Sequence, residues 1–91
     1  MITGRADAVV YDREGKPVLV VEAKSRFDVT QRWAARTFRN LYVHGSVPDV
    51  PYFLLALPDA FYLWRDPGRK ALEAFVKGDR EEVPPDYAEP A

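Results

Sequence analysis

The sequence contains no cysteine and only one histidine. The first absence removes a disulfide framework and any thiolate metal site, and gives no support to secretion. The second, with no Ser/His/Asp set, no Cys/His metal spacing and no glycine-rich phosphate loop, removes most nucleophilic and nucleotide-binding classes. The start "MITGRAD" lacks an apolar signal segment, and the longest apolar stretch, around "YFLLAL", is too short to cross a bilayer. A protein of the cytoplasm with no membrane partner is the expectation.

What is present fits one small α/β domain. At 91 residues, 47% apolar and 30% charged, the chain has the composition of a globular protein near the size where a single core holds. The formal net charge of −1 conceals a division. Residues 1–78 hold twelve Lys or Arg against nine Asp or Glu, whereas residues 79–91, "DREEVPPDYAEPA", hold one Arg against five acids. The first segment is the expected domain; the second, acidic and proline-containing, is expected to be a poorly ordered tail. Lys24, Arg26, Arg32, Arg36 and Arg39 cluster within sixteen residues, opposed only by Asp28, and form a local anion-attracting patch.

The pattern predicts the order β-β-α-β-β-α. "ADAVVYD" (6–12) and "PVLVVEA" (17–23) are rich in β-branched residues, and Glu14-Gly15 between them suits a two-residue hairpin turn. From Asp28 the apolar residues Val29, Trp33, Ala34, Phe38, Leu41 and Tyr42 recur at helical spacing, with Asp28 or Thr30 as cap and Gly45 as stop, so a helix spans 29–44. "YFLLAL" (52–57) and "FYLWR" (61–65) are strands joined by a tight turn. Asp66, Pro67 and Gly78 then bracket a helix over 68–77. The hairpin strands are apolar on both faces, which calls for cover on both sides of the sheet. The long helix supplies one side, and only the short one remains for the other. A partner subunit or a preceding segment is therefore expected against that face.

"VLVVEAKS" (18–25) is the stretch that carries chemistry: a strand built for the interior ends in Glu22 and Lys24. With Glu14-Gly15 as the turn, Tyr11 faces Val18 and Asp7 faces Glu22. Directly opposed Cβ atoms lie ~4.5–5.5 Å apart, where like charges destabilise. Lys24 emerges on the same face as Glu22 because strand side chains alternate. One reading has Lys24 neutralising Glu22 at an exposed strand end, with Asp7 merely preceding its strand. The other, favoured by the apolar context, has the two acids holding a hard divalent cation, with Lys24 positioning water and neutralising charge on a phosphate oxygen.

"RADAVVYDREGKPVLVVEAKS" resembles the core of the PD-(D/E)xK nuclease superfamily, of restriction-endonuclease-like fold, whose members cleave phosphodiester bonds with Mg²⁺. The resemblance implies that Asp7 is the motif aspartate, that Glu22 and Lys24 are its E-x-K, and that the Ala23 carbonyl is a further ligand for Mg²⁺ or Mn²⁺. Gln31, at the start of the following helix, is similar to a glutamine found after the E-x-K in the nuclease domains of type I restriction motor subunits. "PYFLLALPDAFYLWR" resembles the later strands of the restriction-type branch. Two departures stand out: members usually carry a helix ahead of the Asp strand, where "MITGR" stands here, and Gly4-Arg5-Ala6 replaces a common proline.

The expectation is therefore a metal-dependent nuclease of mixed-sheet, restriction-endonuclease-like fold. DNA is the expected substrate, and Arg26, Arg32, Arg36 and Arg39 are the candidate nucleic-acid contacts. A homodimer or a partner chain would cover the open face. The alternative is a non-catalytic module that keeps this fold for nucleic-acid binding or assembly. Trp33 and Trp64 fit the core better than a base-stacking role, and His44 suits a helix end, where it meets the helix dipole.

Overall fold

The first turn is organised by Asp12, whose Oδ1 accepts the main-chain N–H of Glu14 and of Lys16, both at 2.9 Å. The Asp12 N–H donates to the Lys16 carbonyl at 2.8 Å, and Gly15, at φ +82°, takes the left-handed position that a side chain would resist. The loop is thus the three residues 13–15 rather than the expected two-residue turn. It joins β1 (Ala8–Tyr11) to β2 (Pro17–Ala23) with Tyr11 opposite Pro17, not Val18. A register shift between Val10 and Tyr11 then restores the expected pairing, Val10 with Leu19, Val9 with Val20 and Ala8 with Val21. One irregularity offsets the other, so Ala8, Val9 and Val10 keep the anticipated register.

The computed structural model describes residues 6–45, 47–76 and 83–90, without the side chains of residues 75 and 76. After the hairpin come α1 (Gln31–Val43), β3 (Tyr52–Ala56), β4 (Ala60–Arg65), α2 (Pro67–Val76) and β5 (Tyr87–Pro90). The five strands form one sheet in chain order, with β2 and β3 parallel and the other neighbours antiparallel. A small α/β domain with a mixed sheet is what the sequence predicts. Tyr87–Pro90 corrects the expectation of a poorly ordered tail: these residues form an edge strand against β4, because Asp86 and its neighbours find partners that composition does not display. The proposed stop at Gly78, the segment 79–82 and "MITGR" lie outside the described residues.

Helix α1 begins at Thr30, whose Oγ1 accepts the Trp33 N–H at 3.0 Å, so Thr30 rather than Asp28 is the cap. His44 closes it, with Nδ1 2.6 Å from the Asn40 carbonyl oxygen. Ala34, Ala35 and Phe38 are its buried side, and the Phe38 ring stacks on Trp64 at 4.7 Å between centroids, with Phe53 beside both. Val20, Phe53, Leu55, Tyr62 and Trp64 supply the sheet side of this core. Both tryptophans thus serve packing: Trp64 is fully buried and Trp33 lies at the core margin. Pro67 is the first residue of α2, as expected, and is buried; Asp66 precedes it, and its main-chain carbonyl accepts the Lys70 N–H at 3.1 Å.

Helix α2 contacts α1 and is tied by the Lys70–Asp86 ion pair to the start of β5, on the side of the sheet that α1 covers. Both helices therefore lie on one face, and the expectation that the short helix covers the other is corrected. The second face presents Ala8, Val10, Leu19, Val21, Ala23, Tyr52, Leu54, Ala56, Phe61 and Leu63 by strand alternation and register. None of these is buried, even on the central strand, where Phe53 and Leu55 of the covered face are at most 1% exposed. Extents of 35 × 33 × 20 Å fit two layers, helices and sheet.

Asp86 holds the edge strand and α2 together. Its Oδ2 accepts the Arg65 N–H at 2.6 Å, its own N–H donates to the Leu63 carbonyl at 2.8 Å, and its Oδ1 meets Lys70. Partial burial acts to raise its pKa, but the hydrogen bonds from Lys70 and Arg65 prevail and hold it below the usual carboxylate value. A depressed carboxylate contributes stability above its unfolded pKa and loses it as pH falls through the folded value. Asp86→Ala should cost about 1–3 kcal/mol near neutral pH, the range for charge-assisted hydrogen bonds. Urea unfolding of both proteins should show the gap constant from pH 7 to 5 and closing below pH ~4, the usual carboxylate range.

Candidate functional site

The end of β2 leaves the core one side chain at a time. Val20 is fully buried, the Glu22 side chain is 15% exposed and the Lys24 side chain 41%. All three share the face that α1 covers, since Glu22 aligns with the buried Leu55 of β3 as Val20 does with Phe53. Lys24 remains attached to the sheet, its N–H donating to the Ala56 carbonyl at 3.0 Å.

Asp7 reaches the same place from β1, but not as a partner squarely opposite Glu22. Its N–H donates to the Val21 carbonyl at 3.0 Å, and its Oδ2 accepts the Ala23 N–H at 2.7 Å. The carboxylate takes over an acceptor position in the ladder just where β1 begins. In an extended strand the N–H and C=O of one residue point to the same edge, so the Ala23 carbonyl also faces the Asp7 side. Asp7, Glu22, Ala23 and Lys24 are thus brought together, although the simple cross-strand opposition of the two acids is replaced by a side-chain cap.

The electrostatics are unbalanced toward negative charge. Glu22 has its pKa raised above the usual carboxylate value, first by burial and second by repulsion from Asp7, while Lys24 pulls the other way and does not prevail. The Lys24 Nζ lies 3.8 Å from the nearest Glu22 oxygen, an ion pair without a hydrogen bond. By formal count two carboxylates and one ammonium leave one negative charge at this strand end, and the ammonium keeps donors to offer a third group.

The donor set suits a small hard cation only in part. Two carboxylates and a main-chain carbonyl are oxygen donors of the right kind, and Mg²⁺ commonly retains several waters beside one or two carboxylates. Among the described residues no group of three or more His, Cys, Asp or Glu side chains stands at metal-holding distance. Asp7, Glu22 and the Ala23 carbonyl are the residues that would hold such an ion.

The segment from Lys24 to α1 is fixed by three ties. The Asp28 N–H, at φ +54°, donates to Asp59 Oδ2 at 3.1 Å; the Tyr62 hydroxyl donates to the Val29 carbonyl at 3.5 Å; and the Arg26 guanidinium lies 5.2 Å from the centroid of the Trp33 ring. Aspartate tolerates the left-handed region better than most residues. Asp59, in the turn between β3 and β4, was not singled out by sequence, since an Asp after a Pro signals only a turn. Its other oxygen is buried without a hydrogen-bond partner. Gln31 is exposed on the first turn of α1, and Arg32, Arg36 and Arg39 are exposed along the helix. Arg26 is drawn to Trp33, so the cationic stripe is that of the helix, with Lys24 at the carboxylates.

A cleft of about 530 Å³ opens at the other end of the sheet, lined among others by Asp12, Lys16, Asp49, Asp66 and Arg69. Its charges are mixed, and the Asp12 carboxylate is occupied in the hairpin turn. It offers no convergent set comparable to the carboxylate pair. Comparison with protein-family models, curated proteins and solved structures finds no match to this chain. Among the described residues, no helix is long and apolar enough to cross a membrane.

A raised glutamate pKa has a definite sign in stability. The folded chain holds the Glu22 proton more tightly than the unfolded one, so metal-free stability falls as pH rises from the usual carboxylate range through the raised value. Glu22→Gln should raise the urea midpoint of the metal-free protein at pH 7, and the difference should vanish near pH 4. Mg²⁺ should stabilise the wild type at pH 7 and leave the variant unmoved.

Proposed function

We propose that the chain is a Mg²⁺-dependent phosphodiester hydrolase acting on DNA, with Asp7, Glu22, Ala23 and Lys24 at its centre and Gln31 beside it. One observation carries this reading: two carboxylates and a lysine converge at the end of a buried strand, and the repulsion between the acids outweighs the lysine's attraction. The excess negative charge is what a divalent cation complements. The resemblance of "RADAVVYDREGKPVLVVEAKS" to the PD-(D/E)xK nucleases supports the same assignment. It further implies a restriction-endonuclease-like arrangement of this mixed sheet.

When bound, the cation supplies Lewis acidity toward a phosphate oxygen and a water made more acidic. The chain's own part is positioning. The Ala23 N–H holds the Asp7 carboxylate, and burial on the α1 side holds Glu22 in one place. Lys24, free to extend from its exposed position, neutralises charge that grows on the non-bridging oxygens as water attacks phosphorus. Gln31 orients water or phosphate from the helix start. Arg32, Arg36 and Arg39 present a cationic stripe to the sugar-phosphate backbone, which fixes the strand without reading its sequence. Arg26, at the edge of this stripe, contributes charge while stacked on Trp33.

A second reading has its own support: the described residues hold no cluster of three metal-binding side chains. A non-catalytic module that binds nucleic acid through α1, or assembles through the open sheet face with a partner chain, answers that observation.

Plasmid nicking and calorimetric titration with Mg²⁺ or Mn²⁺ separate the two. The hydrolase should nick only with metal, and Glu22→Ala or Lys24→Ala should lower the rate by ~10²–10⁴, the scale of losing a group that acts in the transition state. Nicking undiminished in both variants would remove the catalytic assignment. DNA binding without metal uptake would establish the module instead.

A further inference from the structure

The open face of the sheet carries a contiguous apolar surface across all five strands. Five strands at a spacing of ~4.8 Å and four to seven residues of ~3.3 Å each give a face about 24 Å wide and ~17 Å long. It is on the order of 400 Å² in projection and more in accessible area, which puts it among patches that mark a binding site. Val10 is 47% exposed there, Tyr52 40% and Tyr87 50%, and Leu19, Val21, Leu54, Phe61 and Leu63 lie between them, incompletely covered.

We infer that this face is the contact between two copies of the chain, packed sheet to sheet in a twofold sandwich. Three observations select a second copy. The first is width: a single helix is ~10–12 Å across and would cover about half of the face, whereas a second five-stranded sheet matches it in both dimensions. The second is charge. Along the strands of this face the formal charges are Arg65 on β4 and Glu89 on β5, one of each sign. Glu89 pairs with Phe61, four residues from Arg65, with Leu63 and Tyr87 midway. A twofold axis crossing the strands at the level of Leu63 and Tyr87 brings Arg65 of each copy beside Glu89 of the other, so the pattern is complementary to itself. The third is area: closing the face on both copies removes on the order of 1,000 Å², the threshold of a specific interface.

Such a dimer also completes the layering. The single copy is 20 Å thick and places its core on one side of the sheet. Two copies back to back give helix, sheet, sheet, helix, with the strands covered on both faces. The carboxylate sites lie on the outer, helix-bearing sides, so assembly and hydrolysis can be lost independently.

Sedimentation equilibrium of the full chain tests the inference. The wild type should be a dimer at micromolar concentration. Leu54→Glu, at the centre of the face, should weaken association at least ~100-fold, since the charge is buried twice in a symmetric contact. Val10→Glu, on the edge strand, should weaken it less, with the far-ultraviolet circular dichroism unchanged. This variant decides the matter should Leu54→Glu fail to fold. Arg65→Glu and Glu89→Arg should each weaken the dimer and together restore it. Val43→Glu, a 70% exposed site on α1, should leave it intact. A monomeric wild type at several hundred micromolar would overturn the inference, as would a dimer that both face variants leave unchanged. Capture of a different protein by a monomeric wild type would assign the face to that partner.

Discussion

Parallel pairing of β2 with β3 is the constraint on which the rest depends. Two parallel neighbours cannot be joined by a tight turn, so the chain must leave the end of β2, cross one face of the sheet and re-enter at the start of β3. Helix α1 is that crossing, and its buried side decides which face is dry. Phe38 stacked on Trp64 against Phe53 is the centre of that decision. Val20, Phe53, Leu55, Tyr62 and Trp64 on the α1 side of the strands become core, and the return path sets Lys24, Asp28 and the start of α1 around the same strand end.

That layout explains how much of the chain was legible from its letters. The β2 boundaries, 17–23, follow from an unbroken apolar run between a proline and a charged pair, a pattern with one interpretation. The body of α1 follows from periodicity, but its start required choosing between two capping residues, and only geometry shows Thr30 accepting the Trp33 N–H while Asp28 turns into a left-handed corner. Strand β5 was hidden because "PDYAEP" has neither length nor apolar alternation. Its order comes from Asp86, whose partners Arg65, Leu63 and Lys70 are distant in sequence.

At the site, residue types were legible and their arrangement was only half so. Alternation places Glu22 and Lys24 on one face without any structure. The approach of Asp7 rested on a turn assignment that was wrong by one residue and was rescued by a compensating shift beyond Val10. The capture of Asp7 by the Ala23 N–H could not be foreseen, because it arises where regular pairing ends and a side chain takes the place of a main-chain acceptor. Asp59 has the same character: a turn residue by composition, it becomes a tie between two loops only once the sheet brings them together.

The progression Val20, Glu22, Lys24 accounts for a charged pair at the tip of an interior strand. Over about 13 Å, at ~3.3 Å per residue, one line of alternate side chains passes from a dry core to water. A carboxylate at the midpoint is shielded from solvent on the α1 side and open on the other, so its interactions with neighbouring charges exceed those of a surface acid. Burial raises its pKa first and Asp7 adds to that, while Lys24, further out and 3.8 Å away, pulls the other way without prevailing. The strand must be buried for this to hold: an exposed strand end would screen the acids from each other and leave an ordinary glutamate. Burial of the strand and charge at its tip are thus one arrangement. The core fixes where Glu22 stands, and the Ala23 N–H holds the exposed Asp7 carboxylate beside the same strand end.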